Sequence, residues 1–481
     1  MKNIIKSLLF ILLVILVSSC NDWIDVEPRT SIDSNNALNS EQRISAAMNG
    51  IYDRLQNTNL YGRDIIAIPE ALSDNGRATN KSGRLNPEYR NQPNAHLLVW
   101  ELAYRTINQA NLIIEALPAR TELSQDVRDG YEGQALFIRG LMYLELMKAH
   151  AYSPQAKVDA QNRGGVPLIL TGVADLPQVT YPSRATIEEC YAQIYKDFAN
   201  AAAKLEKTAA SRAPAYATKG AALAMLSRAY LYGGDYAKAA STASDAIALV
   251  GSKLLTNAAY VAGFRSAVNP ESLFEIVFVT NENIGVNLSL QTSFTTLVSS
   301  GNRTVTGGFG DLVPTASLLA DMVSEADTAN NVHDIRRQLY ELGTTGRGTA
   351  EIECTKFLGK NGAVNLDNVP VIRVSELYLT RAEAYAHLGQ EAESHKDLNV
   401  IRNRAGLPNK FPTGTNLVNE ILKQRRIELA FEGHRFFDIK RLGRDIIKMP
   451  NNLPFIDFKV LAPIPSRELA ANPNLIQNFG Y

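Results

Sequence analysis

The residues best suited to chemistry lie in one segment, residues 425–441, where charges of both signs alternate with apolar side chains. Its charged members are Arg425, Arg426, Glu428, Glu432, Arg435, Asp438 and Arg441, interspersed with Leu429, Phe431, Phe436 and Phe437. Such a segment can form a ligand site or a half-buried ion-pair network that fixes how a helix docks. We favour the network, because buried charges are tolerated only when paired and the segment supplies both signs. Arg425 and Glu428, three residues apart, are expected to pair on one helical face.

No catalytic signature accompanies this segment. The sequence contains no His-Glu-x-x-His pair, no Gly-x-Ser-x-Gly elbow, no Walker loop and no phosphate-binding glycine fingerprint. None of the six histidines pairs with a nearby acid in a way that indicates a metal site, and His387 and His395 are expected to be incidental surface residues. A glycosidase needs two carboxylates facing a cleft, and nothing in the sequence singles out such a pair. We therefore predict a protein that is not an enzyme and holds no metal or cofactor.

Helical hairpins must position the charged segment. Residues 371–389 carry one apolar helical stripe, made of Val374, Leu377, Tyr378, Tyr385 and Leu388. Gly389 ends that helix, and a second helix ends at Gly406. A clearer hairpin covers residues 218–250, where small alanines allow close approach and Gly233 and Gly234 turn the chain. Units of this kind bury a continuous core only by stacking, as tetratricopeptide repeats do.

Other patterns predict further helices, one strand and several irregular stretches. Ser40 can begin a helix that runs to Leu55, and Thr186 with Glu189 forms a capping box for a helix to about Leu205. Additional helices are predicted over 100–117 and 131–150, and a strand over 273–279. The fold class is therefore mostly α, with stacked tetratricopeptide-like hairpins. Four long irregular excursions interrupt the stack, at residues 73–94, 151–183, 281–310 and 342–370.

Composition limits the classes of partner. Lys plus Arg and Asp plus Glu both number 49 in a chain of 481 residues, so no basic face indicates nucleic acid. An apolar fraction of 45% with 20% charged residues is typical of a globular protein with a substantial core. The three cysteines, Cys20, Cys190 and Cys354, give neither a disulfide framework nor metal-ligand spacing.

The N-terminus indicates export and lipid anchoring. Lys2 and Lys6 precede an apolar run from residue 8 to 17, which is shorter than the roughly 20 residues that span a bilayer. Val17-Ser-Ser-Cys20 then matches a bacterial lipobox. We interpret residues 1–19 as a lipoprotein signal peptide and 20–39 as a tether lipidated at Cys20, with 40–481 forming one domain. An ordinary signal peptide with an incidental Cys20 is the alternative.

Three groups of motifs together resemble a known family. They are Arg373…Glu376-Leu-Tyr-Leu…Arg381-Ala-Glu-Ala-Tyr, Asn399…Ile-Arg-Asn-Arg-Ala-Gly, and Arg425-Arg…Glu428-Leu…Phe431-Glu-Gly-His-Arg-Phe-Phe-Asp. In this order they are similar to the C-terminal half of SusD/RagB outer-membrane lipoproteins of Bacteroidetes, and Pro463-Ile-Pro465 and the closing residues to Tyr481 continue the likeness. The resemblance implies a SusD-like superhelix whose excursions cover one face of the repeats and hold the ligand.

The resemblance also implies a function. Members capture a nutrient oligomer, usually a glycan and in some cases a peptide, and work with a SusC-like TonB-dependent transporter in the outer membrane. The expected location is the outer membrane, facing the exterior and held only through lipid. Two other classes stay open: a lipid-anchored scaffold whose helical grooves hold a protein partner, and a surface glycosidase.

The ligand site is expected on excursions 73–94 and 281–310. Repeat helices use their side chains for stacking, whereas long polar loops expose groups that can bind. Sugar sites combine an exposed aromatic ring with amide, carboxylate and guanidinium groups. The residues that match this description are Asp74, Asn75, Arg77, Asn80, Tyr89, Arg303 and Phe309. The alternative is that both loops are solvated cover or face the transporter.

The lipobox makes a direct prediction. Changing Cys20 to Ala should release the protein from the membrane or block its processing, because the thiol that accepts the lipid is lost. Membrane fractionation and mass spectrometry of the mature N-terminus measure this. A mature wild-type protein that begins upstream of residue 20, or that carries no lipid, would contradict the assignment.

Overall fold

A computed structural model describes residues 37–207, 213–251, 253–327, 330–360 and 362–481. Cys20, the predicted signal peptide and most of the predicted tether lie outside the described residues. The fold is mostly helical, with 50% helix and 7% strand, which confirms the predicted class. The helices are α1 (Glu41–Leu55), α2 (Asp64–Leu72), α3 (Asn86–Tyr89), α4 (Trp100–Ala116), α5 (Gln125–His150), α6 (Ile187–Lys204), α7 (Lys219–Gly233), α8 (Tyr236–Val250), α9 (Tyr260–Gly263), α10 (Leu290–Phe294), α11 (Ala316–Val323), α12 (Val374–His387), α13 (Glu391–Arg404), α14 (Gly414–Glu428), α15 (Arg435–Arg441) and α16 (Ser466–Ala471).

The long helices pack as a continuous stack. Helix α4 packs against α5, α5 against α6, α6 against α7, α7 against α8, α8 against α12, and α12 against α13 and α14. Local signals set these elements: Thr186 and Glu189 form the predicted capping box, and Gly234 turns α7 into α8 with φ +83°. Both predicted hairpins are confirmed. Buried apolar side chains from Ile44 to Leu475 join one contiguous core.

Helix α12 differs from its predicted stripe. Its buried face includes Glu376, Leu379 and Glu383, whereas Leu388 is 41% exposed. The single apolar stripe was therefore wrong. Helices α8, α13 and α14 all contact α12, so most of its circumference is covered and a one-sided pattern does not apply.

Three two-stranded antiparallel sheets lie in and beside the excursions, and the β2–β6 sheet contacts the stack. Strand β1 (Gly76–Ala78) pairs with β3 (Leu312–Pro314), β2 (Ser272–Ile276) with β6 (Val369–Arg373), and β4 (Tyr340–Leu342) with β5 (Ile352–Cys354). The strand predicted over 273–279 is thus confirmed in its first half. The excursions are less irregular than expected, since three of them contain short strands or helices. Residues 151–183 contain neither an α-helix nor a named strand.

The charged segment forms a buried ion network, as favoured from the sequence. At its centre, Arg373 contacts three carboxylates: Glu271 at 2.6 Å, Glu428 at 3.2 Å and Glu432 at 2.8 Å. Arg404 reaches Glu428 at 2.6 Å and Glu271 at 2.9 Å. All five side chains are at most 4% exposed. Each charge therefore depends on partners from other elements.

A second half of the network surrounds α15. Arg425 contacts Asp438 at 2.8 Å, and Arg441 contacts Asp438 at 3.0 Å and Glu383 at 2.6 Å. Burial alone would raise the pKa of Asp438, but the two guanidinium groups hold its pKa below the usual value. The expected pair between Arg425 and Glu428 was wrong. Arg425 pairs instead with Asp438 and Glu376, and Glu428 pairs with Arg373 and Arg404, all on other elements.

Removing Glu432 should destabilise the protein through this network. Its carboxylate accepts from Lys356 at 2.6 Å and from Arg373 at 2.8 Å, with all three side chains buried. We expect Glu432→Ala to lower the free energy of unfolding by about 3–5 kcal/mol, because it leaves two buried cations short of a partner. Urea denaturation measures the loss, and Glu393→Ala, which removes an exposed pair with Lys396, should stay close to wild type.

The difference in free energy of unfolding between wild type and Glu432→Ala should depend on pH. Burial would raise the pKa of Glu432, but Arg373 and Lys356 lower it below the ordinary 4.5. A lowered pKa means that the unfolded chain takes up the proton first, so this stabilisation is complete above pH 4.5 and fades as the pH falls. The gap between wild type and Glu432→Ala should therefore narrow in acid. A gap that is unchanged or absent at every pH would contradict the structural role.

Candidate functional site

Three excursions meet around the loop that joins β4 to β5. We call this region the hairpin-tip surface and define it as residues 343–351 with Arg77, Arg84, Arg303 and Phe309. Strand pairing of β1 with β3 brings the first excursion beside the end of the second, and Thr79 Oγ1 donates to Gly310 O at 2.7 Å. Thr306 and Thr344 hydroxyl groups, 2.7 Å apart, join the second excursion to the loop.

A buried carboxylate fixes the base of this surface. Glu353, with a fully buried side chain, accepts from Thr295 Oγ1 at 2.9 Å and from Thr296 N at 2.6 Å, and its other oxygen lies 3.4 Å from Lys81 Nζ. These contacts tie β5 to both of the other excursions. Gly343 permits this approach, because a Cβ at that position would lie 2.2 Å from the Glu353 carboxyl carbon. The base is therefore closely packed.

Phe309 lies at the centre of the surface and contacts two arginines. The guanidinium carbon of Arg84 lies 4.4 Å from the ring centroid and that of Arg347 lies 4.2 Å from it. Arg84 also donates through Nε to Asp311 Oδ2 at 3.0 Å, and Ser82 donates to the other oxygen of Asp311. The half-buried ring thus positions guanidinium groups through cation–π contacts.

The exposed cations of this surface differ in their pairing. Arg77 pairs with Glu351 at 2.9 Å. Arg303 donates through Nε to the backbone oxygen of Gly343 at 3.3 Å, and Arg347 contacts the Phe309 ring. Neither Arg303 nor Arg347 forms an ion pair with an acid in the described part of the chain. Both guanidinium groups therefore keep donors that face solvent.

Two of the predicted site residues belong to the ion network instead. The Asp74 carboxylate accepts from Arg435 at 2.7 and 2.8 Å, and its pKa stays below the usual value because Arg435 and Arg426 outweigh the effect of burial. The Asn75 side chain is fully buried: it accepts from Arg426 Nε at 2.9 Å and donates to Glu70 at 2.9 Å. Asp74 and Asn75 are therefore not part of the candidate site, because their polar atoms form hydrogen bonds within the protein.

Tyr89 lies on α3, which contacts β1, but it exposes little of its ring to a ligand. Its ring is only 9% exposed and packs beside Lys448, whose Nζ lies 5.2 Å from the centroid. Asn80 remains exposed near the surface, in a left-handed turn with φ +61°. Of the seven predicted residues, Arg77, Arg303 and Phe309 belong to the hairpin-tip surface. Within the described part of the chain the Asn80 side chain hydrogen-bonds only to Asn86, and Asp74, Asn75 and Tyr89 are covered by other side chains of the protein.

Sequence reasoning missed Arg84 and Arg347. Arg84 lies within excursion 73–94, where the residues predicted for the site did not include it. Arg347 lies in the glycine-rich stretch Gly343-Thr-Thr-Gly-Arg-Gly348, between two strands that were not predicted. The signal that could have found Arg347 is the glycine spacing, which is typical of a hairpin loop.

A large groove lies elsewhere on the protein. A groove of about 840 Å³ runs along α4, lined in part by Trp100, Tyr104 and Arg467. Trp100 is only 3% exposed, so it offers no ring face to a ligand. The Asn108 side chain donates to the backbone oxygen of Val173 and accepts from its backbone N–H.

The described residues give two further negative findings. No group of His, Cys, Asp and Glu among them is arranged to hold a metal ion. None of the helices built from them is both long and apolar enough to cross a membrane.

Two family models match the chain. One, described as "SusD family", matches residues 348–481, and the other, "Starch-binding associating with outer membrane", matches residues 22–231. The chain is similar to "SusD-like protein P2" of Formosa agariphila, with 26% identity over 98% of both proteins. It is also similar to "Starch-binding protein SusD" of Bacteroides thetaiotaomicron, with 31% identity over 24% of this chain and 22% of that protein.

Solved structures share the fold. A "putative sugar binding protein" from Bacteroides vulgatus superposes with a TM-score of 0.78 and 28% identity, covering 92% of this chain and 99% of that one. A SusD superfamily protein from Bacteroides thetaiotaomicron gives 0.77 and 26%, covering 91% and 99%. The resemblance drawn from the sequence motifs is thereby confirmed: the chain is SusD-like in sequence and in fold.

Proposed function

We propose that this protein is a surface lipoprotein that captures an oligosaccharide and delivers it to a SusC-like TonB-dependent transporter in the outer membrane. Family models and relatives described as starch-binding or sugar-binding support the choice of ligand class. The observation that carries the proposal is the hairpin-tip surface, where three excursions converge and present guanidinium donors that are free of acidic partners.

The proposed capture needs no covalent chemistry. Sugar hydroxyl groups accept and donate hydrogen bonds, and guanidinium groups held at fixed positions can donate to two oxygens at once. The packed base around Glu353 limits the entropy lost when a ligand binds. Release to the partner requires only that these contacts be exchanged. We assign no catalytic residue and no cofactor.

The remaining parts of the proposal concern the membrane. Lipidation at Cys20 would anchor residues 40–481, taken as one domain, through the segment 20–39 on the outer face of the outer membrane. A family description that mentions association with the outer membrane supports this location. A peptide ligand, or a protein partner held by the helical stack, is the alternative class.

Binding measurements on the full mature protein test the site. Wild type should bind at least one member of a panel of oligosaccharides by calorimetry, and Arg303→Ala should weaken that binding about tenfold, since a charge-assisted hydrogen bond is lost. Arg467→Ala serves as the matched control, because Arg467 is an exposed arginine in the groove along α4.

Three results separate the alternatives. Binding of peptides but of no oligosaccharide would replace the ligand class. A loss of oligosaccharide binding in Arg467→Ala, with Arg303→Ala unaffected, would move the site to the groove. Failure to bind any oligomer while a purified transporter or another protein is retained would favour the scaffold role.

A further inference from the structure

We propose that the ligand of the hairpin-tip surface is an acidic glycan, recognised through carboxylate or sulfate groups on its sugars. This inference rests on the proposed function and narrows its ligand class. The hairpin-tip surface exposes arginine side chains that have no balancing carboxylate in the described part of the chain.

The charge at this surface departs from the balance of the whole chain. Overall, basic and acidic residues are equal in number, at 49 each. In the interior, arginines are matched closely by carboxylates, as Arg373 and Arg441 are. At the hairpin tip, Arg303 and Arg347 have no acidic partner among the described residues. Two unpaired guanidinium groups on neighbouring loops produce a local positive potential.

Phe309 explains why Arg347 stays in place, whereas Arg303 is held by its hydrogen bond to the Gly343 backbone oxygen. A long arginine side chain normally loses considerable rotamer freedom when it binds a ligand. Arg347 and Arg84 both lie within 4.4 Å of the Phe309 centroid, so the ring restrains them before a ligand arrives. Restraint of this kind favours bidentate recognition of planar carboxylates and of sulfate oxygens.

The same contacts argue against a neutral glycan. A neutral sugar is usually held by stacking its C–H face on an exposed aromatic ring. Phe309 is the aromatic residue of this surface, but two guanidinium groups already contact it and the ring is half-buried. A neutral ligand would also cover Arg347 without supplying a negative charge, which costs free energy on desolvation. An acidic ligand supplies that charge.

Chemically matched pairs of ligands test this inference. One pair is a hexuronate oligomer and the same oligomer with its carboxyl groups reduced to alcohols. The other is a sulfated oligosaccharide before and after desulfation. We expect the wild-type protein to bind the acidic member of at least one pair at least tenfold more tightly, with affinity falling as salt screens the charges. The pair that responds distinguishes carboxylate from sulfate.

Two arginine variants locate the effect. Arg347→Gln keeps the length and polarity of the side chain but removes its charge, and it should abolish most of the preference for the acidic ligand. Arg163→Gln is the matched control, since Arg163 also lies over a phenylalanine, Phe479, at 5.7 Å on another part of the protein. Thermal unfolding should show that both variants fold. If Arg347→Gln does not fold, Arg303→Gln is used to measure the loss of preference for the acidic ligand.

The outcomes separate this inference from the proposed function. Equal binding of acidic and neutral members, with Arg303→Ala still weakening both, overturns the inference and leaves oligosaccharide capture intact. A preference for acidic ligands that survives both Arg347→Gln and Arg303→Gln overturns the assignment to this surface. Absence of binding to every glycan overturns the proposed function and the inference together.

Discussion

The ion pairs made by Arg373, Arg404 and Glu428 are the constraint on which the rest of the structure depends. Arg373 ends β6, Arg404 ends α13 and Glu428 ends α14, so three separate elements meet through their terminal charges. A buried cation that loses its carboxylate costs several kcal/mol. Hydrophobic packing alone would tolerate small rotations of these helices, whereas the network does not, and it therefore determines how the stack closes on its C-terminal segment.

The network also extends to the base of the candidate site. Arg426, on the same helix as Glu428, donates to the backbone oxygen of Asp74 and to the Asn75 side chain. Arg435 holds the Asp74 carboxylate at 2.7 Å. Excursion 73–94 therefore begins at a fixed point, and pairing of β1 with β3 carries that order to the second excursion. The hairpin-tip surface is exposed at its rim but rests on some of the most constrained polar contacts in the protein.

The sequence could reveal the parts of this structure that local rules decide. The capping box at Thr186, the turn at Gly234 and the alanine-rich hairpin each follow from a few neighbouring residues. It also revealed that the charges of 425–441 must be paired. It could not reveal the partners, because Asn75 and Arg426 are 351 residues apart and only the closed stack brings them together. For the same reason the sequence suggests that Asn75 and Asp74 are free for a ligand, whereas in the folded protein they accept hydrogen bonds from Arg426 and Arg435.

The two roles of arginine in this protein show why a list of residue types cannot identify the site. Arg425 and Arg347 have the same side chain, and both are preceded within a few residues by polar neighbours. Arg425 is fully buried and reaches Asp438 and Glu376, so its charge serves packing. Arg347 is exposed, restrained by Phe309, and has no carboxylate partner in the described chain. The difference arises from burial and from the placement of acids on other elements. A cation that has no carboxylate partner, yet is restrained, can still bind a molecule outside the chain. On the hairpin-tip surface Arg347, at the Phe309 ring, is one such cation, and Arg303, which donates to the Gly343 backbone oxygen, is the other.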